Sequence, residues 1–316
     1  RENPSDCVAE NSFVVCKGKR INFGDIVAKG DLSRAYTDDQ LAALPIKARK
    51  DRKLVGVQTA AIDIPAKVDG STVYGIDATY PGMVYAKPMM PPTRHGSVVK
   101  SVDDSAAKAV AGYQQTLVLD DPSDTVPGWA LVIADSYHAA LRAARVVKID
   151  WQAGPGADVS EADLLQRGAE LLAGDTGSLV VDNEHVDHMF EAADSVLEAS
   201  YVTNTVLHFQ LEPVNAIGLQ RDGRWELHTG NQWQSLILPT LGQALGVAPE
   251  KVVMRTYMLG GGFGRRLNGD YGVPALLAAK ALGKPVKVVF SREDDSRFDS
   301  PRSASCLLYT SPSPRD

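Results

Sequence analysis

The chain has 316 residues, of which 44% are hydrophobic and 23% are charged, so it is long enough for two domains with ordinary packed cores. A formal net charge of -6 and the lack of a dense Lys/Arg run exclude a nucleic-acid-binding protein, because phosphate binding requires a basic face. The apolar runs are too short to span a bilayer, and three cysteines are too few for a disulfide framework or a cysteine-ligated iron–sulfur site.

The first 57 residues are predicted to be the end of an upstream segment followed by a linker. They contain a predicted strand over residues 13–16 and a predicted helix over residues 23–28. The only basic cluster, within residues 47–53, is interpreted as part of a solvated linker. The chain is then predicted to be extended over residues 58–68.

Residues 58–153 have the pattern of an α/β unit. Apolar runs predict strands over residues 83–86, 98–102, 115–118 and 131–134. Asp135 and Ser136 carry short side-chain oxygens that can cap a helix over residues 137–145. The alternating pattern of residues 146–151 predicts a half-buried strand, and Gly154-Pro155-Gly156 marks a domain boundary.

Beyond this boundary, predicted strands and helices alternate. Ser160 opens a predicted helix that Gly174 can end. Strands are predicted over residues 194–202, 225–228, 252–257 and 286–290. Helices are predicted over residues 234–245 and 271–282, each followed by a glycine.

The chemically most informative stretch is Leu259-Gly260-Gly261-Gly262-Phe263-Gly264-Arg265-Arg266, between a predicted strand and a predicted helix. Glycines lack a Cβ atom, so the backbone can take positive φ values and approach a ligand closely. Amides in such a loop can converge on an oxygen-rich group, and the arginines add forked donors. The alternative is a tight turn with the phenylalanine anchored in the core. The spacing fits neither a G-x-G-x-x-G fingerprint nor a P-loop.

Further motifs occur in order along the chain. They are Pro65-Ala66-Lys67-Val68-Asp69-Gly70, Tyr80-Pro81-Gly82-Met83-Val84-Tyr85-Ala86, Leu211-Glu212-Pro213-Val214-Asn215-Ala216, and Ser291-Arg292-Glu293-Asp294-Asp295 with Phe298-Asp299-Ser300-Pro301-Arg302. Together with the glycine-rich loop, they resemble the large molybdopterin-binding subunit of the xanthine oxidase and aldehyde oxidoreductase family, in the branch typified by the isoquinoline 1-oxidoreductase beta subunit. The resemblance covers residues 10–305, so we expect the chain to be an internal fragment of such a subunit.

The resemblance implies a mixed α/β (α+β) fold with two parts. Residues 1–57 are expected to be the C-terminal part of an upstream segment and its linker. Residues 58–153 are expected to form a hammerhead-like α/β domain, and residues 154–305 the N-terminal part of a molybdenum-cofactor-binding domain. Residues 306–316 resemble translated sequencing-adapter sequence, and we expect them to be a non-native tail.

The resemblance also implies which residues line the site. In the loop, the residues expected to bind the cofactor are Gly261, Gly262, Phe263, Gly264 and Arg265. Phe263 is also expected to form a wall of the substrate pocket. Gln232 matches a motif whose glutamine lies beside the cofactor; the alternative is a helix-cap contact to Gln234 or Ser235.

His208 and Glu212 are expected to belong to the substrate pocket. A single predicted strand would place both side chains on one face, since residues i and i+4 of a strand share it. The alternative is a buried polar pair that stabilises the sheet. Xanthine-type members carry a glutamine and a purine-binding glutamate where this chain has Val206 and Leu267, which argues against purine hydroxylation.

By this resemblance, the chain is part of the catalytic subunit of a molybdenum hydroxylase that oxidises aldehydes or N-heterocycles with oxygen derived from water. The implied cofactor is molybdopterin cytosine dinucleotide. Iron–sulfur clusters are expected on a small partner subunit, with a cytochrome c as electron acceptor and the periplasm as the location. The family's catalytic glutamate lies in a motif without a counterpart here, so no catalytic base is assigned, and the fragment alone is expected to be inactive.

Two other functions stay open at this point. One is a non-catalytic scaffold subunit of the same fold, and the other is a nucleotide-binding oxidoreductase without molybdenum. No metal-ligating residues are assigned: Glu184, His185 and His188 have ligand-like spacing, but no third partner is placed and a solvated loop is favoured.

Overall fold

The computed structural model describes residues 3–30, 32–174, 177–181 and 185–312. Contacts divide the chain into two compact units, Arg1–Ile64 and Pro65–Asp316. None of the helices in the described part of the chain has the length and apolar character that crossing a bilayer requires.

The smaller unit contains a three-stranded antiparallel sheet formed by β1 (Cys7–Glu10), β2 (Phe13–Cys16) and β3 (Lys19–Asn22). Asn22 caps helix α1 (Phe23–Lys29) by accepting a hydrogen bond from Gly24 N. Helix α2 (Asp38–Ala42) begins in a capping box. The strand predicted over residues 13–16 is confirmed, and the helix predicted over residues 23–28 is confirmed with one more residue.

The extended conformation predicted for residues 58–68 is wrong at its C-terminal end, where Ile64–Asp69 forms helix α3. Pro65 lies in the first turn of this helix. Proline is tolerated there because the amides of a first turn have no intrahelical acceptor.

The remaining elements of the larger unit follow in chain order. They are β4 (Val84–Met89), β5 (Val98–Asp103), β6 (Tyr113–Val118), β7 (Ala130–Ala134), α4 (Tyr137–Ala144), β8 (Lys148–Gln152), α5 (Glu161–Leu172), α6 (Val186–Glu191), β9 (Val196–Thr203), β10 (Asn215–Arg221), β11 (Arg224–Thr229), α7 (Gln234–Leu245), β12 (Val252–Thr256), α8 (Val273–Leu282), β13 (Val286–Val289), α9 (Arg292–Arg297) and β14 (Ser305–Pro312).

Seven of these strands form one mixed sheet in the order β12-β11-β10-β13-β4-β7-β6. The pairs β11/β12 and β13/β4 are parallel, and the other neighbouring pairs are antiparallel. Since β13 pairs with β4, strands from residues 58–153 and 154–305 share one sheet and one hydrophobic core. The mixed α/β class is confirmed, whereas the predicted division into these two domains stays a prediction.

Two antiparallel ribbons lie outside the large sheet, β5 with β8 and β9 with β14. Strand β14 contains residues from the predicted non-native tail, and its pairing with β9 extends from Ser305 to Pro312. The non-native origin of residues 306–316 stays a prediction.

Helices α7 and α8 contribute buried side chains to the same core as the large sheet. Both helices end at a glycine in the left-handed conformation, Gly246 after α7 and Gly283 after α8. The sequence predicted both ends, and the bounds of α7 agree residue for residue. Strand β12 and helix α8 flank the glycine-rich loop and thereby place it at one end of the sheet.

Candidate cofactor-binding site

The glycine-rich loop has an unusual backbone. Gly261, Phe263 and Gly264 have φ values of 94°, 54° and 109°. Glycine adopts this region without steric cost, but for a bulky residue such as phenylalanine it is a true outlier. Backbone strain of this kind concentrates at functional sites, which makes the loop the first candidate for ligand binding.

Successive amides of the loop are available to a ligand. Within the described residues, the N–H groups of Gly261, Gly262 and Phe263 donate to no protein acceptor. The flanking amides are already bonded, since Gly260 N donates to Glu212 and Gly264 N donates to Gln232. Successive N–H groups in a turn that lack an acceptor can bind an electron-rich oxygen.

Gln232 lies against the loop, in line with its predicted place beside a cofactor. Its Oε1 accepts hydrogen bonds from Gly264 N at 3.1 Å and from Arg266 N at 3.3 Å. A Cβ atom at Gly262 would lie 2.4 Å from the same oxygen. The close approach therefore requires glycine at position 262, and because Oε1 accepts both bonds, the side-chain amide group of Gln232 is left as a donor.

The proposed cap contact of Gln232 to Gln234 or Ser235 is not made. Helix α7 has no side-chain cap at Trp233, its N-cap residue, and Asn231 bonds the chain just before the helix: its Oδ1 accepts from Trp233 N at 2.7 Å, and its Nδ2 donates to Arg266 O at 2.7 Å.

Phe263 is 67% exposed, although it lies within the loop. The alternative of a turn with this phenylalanine anchored in the core is therefore wrong. Its ring lies beside the loop backbone, since its Cε2 would be 3.1 Å from a Cβ at Gly261. An exposed apolar ring beside amides that lack an acceptor is compatible with a wall of a substrate pocket. That role of Phe263 stays a prediction.

Arg266 lies directly beneath the loop and is fully buried. Its guanidinium donates to Gly261 O at 3.0 Å, to Glu212 O at 2.8 Å and to Glu212 Oε2 at 2.9 Å. Glu212 is 8% exposed and also accepts from Gly260 N, Ile76 N and the side chain of Asn215. Glu212 thus contacts the loop from the protein side, and its carboxylate is fully used by protein donors.

Arg265 points into a second buried cluster. Its guanidinium is 2.7 Å from Asp270 and 3.2 Å from Asp299, and its Nε is 3.8 Å from Asp295. The guanidinium also donates to Phe298 O at 3.3 Å and lies 5.5 Å from the centre of the Tyr271 ring. Its assignment to the cofactor stays a prediction, and the observed contacts give it an internal role.

The electrostatics of this second cluster follow from burial and close pairing. Burial acts to lower the pKa of Arg265, but the nearby carboxylates outweigh it and raise that pKa. Burial likewise acts to raise the pKa of Asp270, yet Arg265 and Arg94 hold it below its usual value. Burial raises the pKa of Asp295, whose Oδ1 has no hydrogen-bond partner.

His208 joins the Arg265 cluster and not Glu212. Its Nδ1 lies 2.8 Å from Oδ1 of Asp299, and its backbone N donates to the other oxygen at 2.6 Å. The ring is nine-tenths buried, and its Nε2 would lie 3.0 Å from a Cβ at Gly264. His208 and Glu212 therefore contact opposite ends of the same loop.

The strand predicted to carry both His208 and Glu212 is wrong. Residues 204–214 form no strand, and their only β-type pairing is an isolated bridge between Val206 and Arg302. Phe209 has a φ of 44°, which breaks the extended conformation. The alternative of a buried pair formed by the two residues is also wrong, because each bonds to a different cluster, and their place in the substrate pocket stays a prediction.

Sequence reasoning missed Arg94, Gln210 and Asp270. Arg94 donates to Asp270, to Phe298 O at 2.8 Å and to Asp299 O at 3.1 Å. Gln210 donates to Asp295 at 2.5 Å. The acidic motifs at residues 291–302 were the available signal, since buried carboxylates require donors from elsewhere.

No cluster of three or more histidine, cysteine or acidic residues suited to a metal occurs among the residues that the structure describes. Of the ligand-like triple, Glu184 lies outside the described residues.

Comparison with known proteins gives a consistent result. Residues 174–311 match the family described as the molybdopterin cofactor-binding domain. The chain is 51% identical over 305 residues to a protein of Gluconacetobacter polyoxogenes named membrane-bound aldehyde dehydrogenase (pyrroloquinoline-quinone), and the match covers 96% of this chain and 40% of that protein. It is 34% identical over 276 residues to the beta subunit of isoquinoline 1-oxidoreductase from Brevundimonas diminuta, with 83% and 34% covered.

The fold is similar to that of solved structures. An aldehyde oxidoreductase from Desulfovibrio gigas superimposes with a TM-score of 0.64 at 20% identity, over 79% of this chain and 32% of that one. At this identity the likeness shows the fold alone. The chain spans less than half the length of these relatives.

Proposed function

The chain belongs to the xanthine oxidase and aldehyde oxidoreductase family, and from this membership we propose that it forms part of the catalytic subunit of a molybdenum hydroxylase that oxidises aldehydes. The aldehyde substrate is favoured by the 51% identity to a protein named aldehyde dehydrogenase. An N-heterocycle is the second candidate substrate, favoured by the 34% identity to one chain of an isoquinoline oxidoreductase.

The observation that carries this proposal is the close approach of Gln232 to Gly262. A Cβ at position 262 would overlap the side chain of Gln232 where it now lies, and the amides of Gly261, Gly262 and Phe263 have no protein acceptor among the described residues. The oxygen-rich, anionic edge of a cofactor fits such a surface. Its oxygens supply acceptors for these amides, and glycines without side chains let it approach the backbone closely.

The residues of this chain would bind and orient the group. The amides of Gly261, Gly262 and Phe263 would donate to its oxygens, and the side-chain amide of Gln232 would add a donor beside them. The exposed ring of Phe263 would exclude water from one side of the substrate. When bound, molybdopterin would supply the redox chemistry that inserts oxygen derived from water.

Three finer properties belong to the same proposal. The cofactor is molybdopterin cytosine dinucleotide, and the electrons leave through a small iron–sulfur subunit to an acceptor such as a cytochrome c. An enzyme of several chains is supported by two relatives whose names designate single subunits, one of an isoquinoline oxidoreductase and one of a nicotinate dehydrogenase. A periplasmic location is proposed from the family resemblance, and one relative is named as membrane-bound.

The test is a cofactor analysis of the full-length gene product, purified from a bacterial host that makes molybdopterin cytosine dinucleotide. We expect molybdenum and pterin in equimolar amounts, and release of cytidine monophosphate on mild hydrolysis. Aldehyde-dependent reduction of an artificial electron acceptor should accompany them, with N-heterocycles tested in parallel.

Three results would count against parts of this proposal. A protein that contains neither molybdenum nor pterin would rule out a molybdenum hydroxylase. Pyrroloquinoline quinone in place of the pterin would agree instead with the name of the relative from Gluconacetobacter polyoxogenes. Cofactor without oxidation of either substrate class would favour a non-catalytic scaffold subunit.

A further inference from the structure

Glu212 and Arg266 form a buried clamp beneath the glycine-rich loop. We infer that these two are positioning residues, which fix the direction in which the loop presents the amides of Gly261 and Gly262. The identity of the ligand rests on the proposed function, whereas the geometry of the clamp belongs to this chain alone.

The clamp holds two consecutive carbonyl groups of the loop. Gly260 O accepts from Glu212 N at 3.0 Å, and Gly261 O accepts from Arg266 Nε at 3.0 Å. All peptide bonds of the described chain are trans, so each C=O points away from the N–H of the same peptide. Because both carbonyls face the clamp, the N–H groups of Gly261 and Gly262 face the opposite, ligand side.

The next peptide follows the same rule. Gly262 O accepts from Arg265 N at 2.8 Å, which turns the N–H of Phe263 in the same way. This last contact is local in sequence, whereas Glu212 reaches the loop from 48 residues away. Glu212 therefore ties the direction of the first loop peptides to the rest of the fold, as Gln232 does for the amides of Gly264 and Arg266 at the other end.

The carboxylate of Glu212 cannot be replaced by an amide without loss. Oε1 accepts from Ile76 N at 2.8 Å and from Asn215 Nδ2 at 2.9 Å. Oε2 accepts from Gly260 N at 2.7 Å and from Arg266 at 2.9 Å. Glutamine would set an NH₂ group against two donors in either orientation, and it would leave the buried Arg266 cation without its counter-charge.

The chain offers a control cluster around a second buried glutamate, whose arginine partners are about half exposed. Glu226 is 3% exposed and accepts from Arg221 at 2.8 Å, from Arg255 at 3.2 Å and from His228 at 2.9 Å. It lies on β11 and contacts none of the loop residues among its described partners. Glu226→Gln and Arg255→Lys thus disturb a buried glutamate and its arginine without touching the clamp.

The experiment compares Glu212→Gln and Arg266→Lys with these controls in the full-length protein. Hydrogen exchange is followed in the peptide that contains residues 259–266 and in helix α8, and molybdenum content is measured in parallel. We expect faster exchange in the loop with unchanged exchange in α8, and a molybdenum content reduced by about tenfold, as for residues that support a metal ligand. The controls should resemble wild type in both measurements.

A double variant adds a test of joint action. If the two residues act as one clamp, Glu212→Gln with Arg266→Lys should lose no more cofactor than the worse single variant, because coupled residues are not additive. Additive losses would overturn the inference, as would wild-type loop exchange in both single variants or equal loop exchange in the controls. If Glu212→Gln fails to fold, the loop exchange and molybdenum content of Arg266→Lys alone test the inference. A wild-type protein without pterin would contradict the proposed function, and loop exchange would still decide on the clamp.

Discussion

A methyl group at position 262 would overlap the present position of the Gln232 side chain, because its Cβ would lie 2.4 Å from Oε1. The atom that a Cβ would meet is the far end of a flexible, exposed side chain and not backbone. Gln232 can therefore move aside, and the cost falls on its hydrogen bonds to Gly264 N and Arg266 N. We therefore expect a side chain at position 262 to disturb the candidate site more than the fold.

We predict that Gly262→Ala reduces molybdenum content by about tenfold, the size of effect seen when support of a metal ligand is removed. The free energy of unfolding should fall by only about 1–2 kcal/mol, since two hydrogen bonds are lost, one exposed and one partly buried. Gly177→Ala is the control, because a Cβ there meets nothing within 4 Å. Full cofactor content in Gly262→Ala would refute the prediction.

For the two arginines of the loop, the sequence indicates the kind of group they bind but not which residue supplies it. The sequence indicated cations suited to oxygen ligands, and both turned out to bond internal carboxylates, Arg265 with Asp270 and Arg266 with Glu212. A buried arginine requires an acidic partner, but nothing local shows that Glu212 supplies it from 54 residues away. The positive φ values that the glycines allow are found at Gly261 and Gly264, because this conformational freedom is a property of the residue itself, whereas their contact with a cofactor stays a prediction.

At the scale of elements, β10 and α8 approach each other more closely than side chains would allow. A Cβ at Gly218 would lie 2.3 Å from Ala275 O and 2.7 Å from Leu276 N. These are backbone atoms inside α8, so the helix as a whole would have to shift. Since α8 follows the glycine-rich loop, this contact also sets where the loop ends.

We predict that Gly218→Ala lowers the free energy of unfolding by about 1–3 kcal/mol, the usual cost of overpacking a core. Chemical denaturation measures this effect, with Gly156→Ala as the control because a Cβ there meets no atom within 4 Å. Equal stability of the two variants would mean that the helix and strand are not held at this distance.

Elements with local signals were predicted well, and those without them were not. Helix α7 ends at Gly246, and the left-handed conformation of a glycine at that point is a local property. Strand β10 was missed because its first five residues are buried on both faces and show no alternation. Helix α3 was missed, although Pro65 in its first turn is compatible with the start of a helix.

At the scale of the whole larger unit, ion pairs connect stretches that are far apart in sequence. Arg94 pairs with Asp270 across 176 residues, and Lys87 pairs with Asp294 at 2.5 Å. His208 bonds Asp299 across 91 residues. Such pairings depend on the assembled sheet, so the sequence could indicate acidic motifs but not their partners.

Asp270 is the group through which this network should respond to acid. Burial acts to raise its pKa, but Arg265 and Arg94 lower it below the ordinary value of 3.8. The unfolded chain therefore binds this proton more tightly than the folded chain. The stability that Asp270 contributes is present above pH 3.8 and is lost as the pH falls through the lower, folded-state pKa.

We predict that Asp270→Asn lowers the free energy of unfolding at neutral pH by about 3–5 kcal/mol, because Arg265 is then buried without its closest counter-ion. The variant should also lose less stability than wild type on acidification below pH 3.8, since it lacks the titrating group. Urea unfolding across this range measures both effects. Asp69→Asn is the control: hydrogen bonds from Ser71 lower the pKa of Asp69 too, but no guanidinium depends on it. A variant with the wild-type stability at neutral pH and the wild-type acid response would show that the two arginines are held by the remaining carboxylates alone.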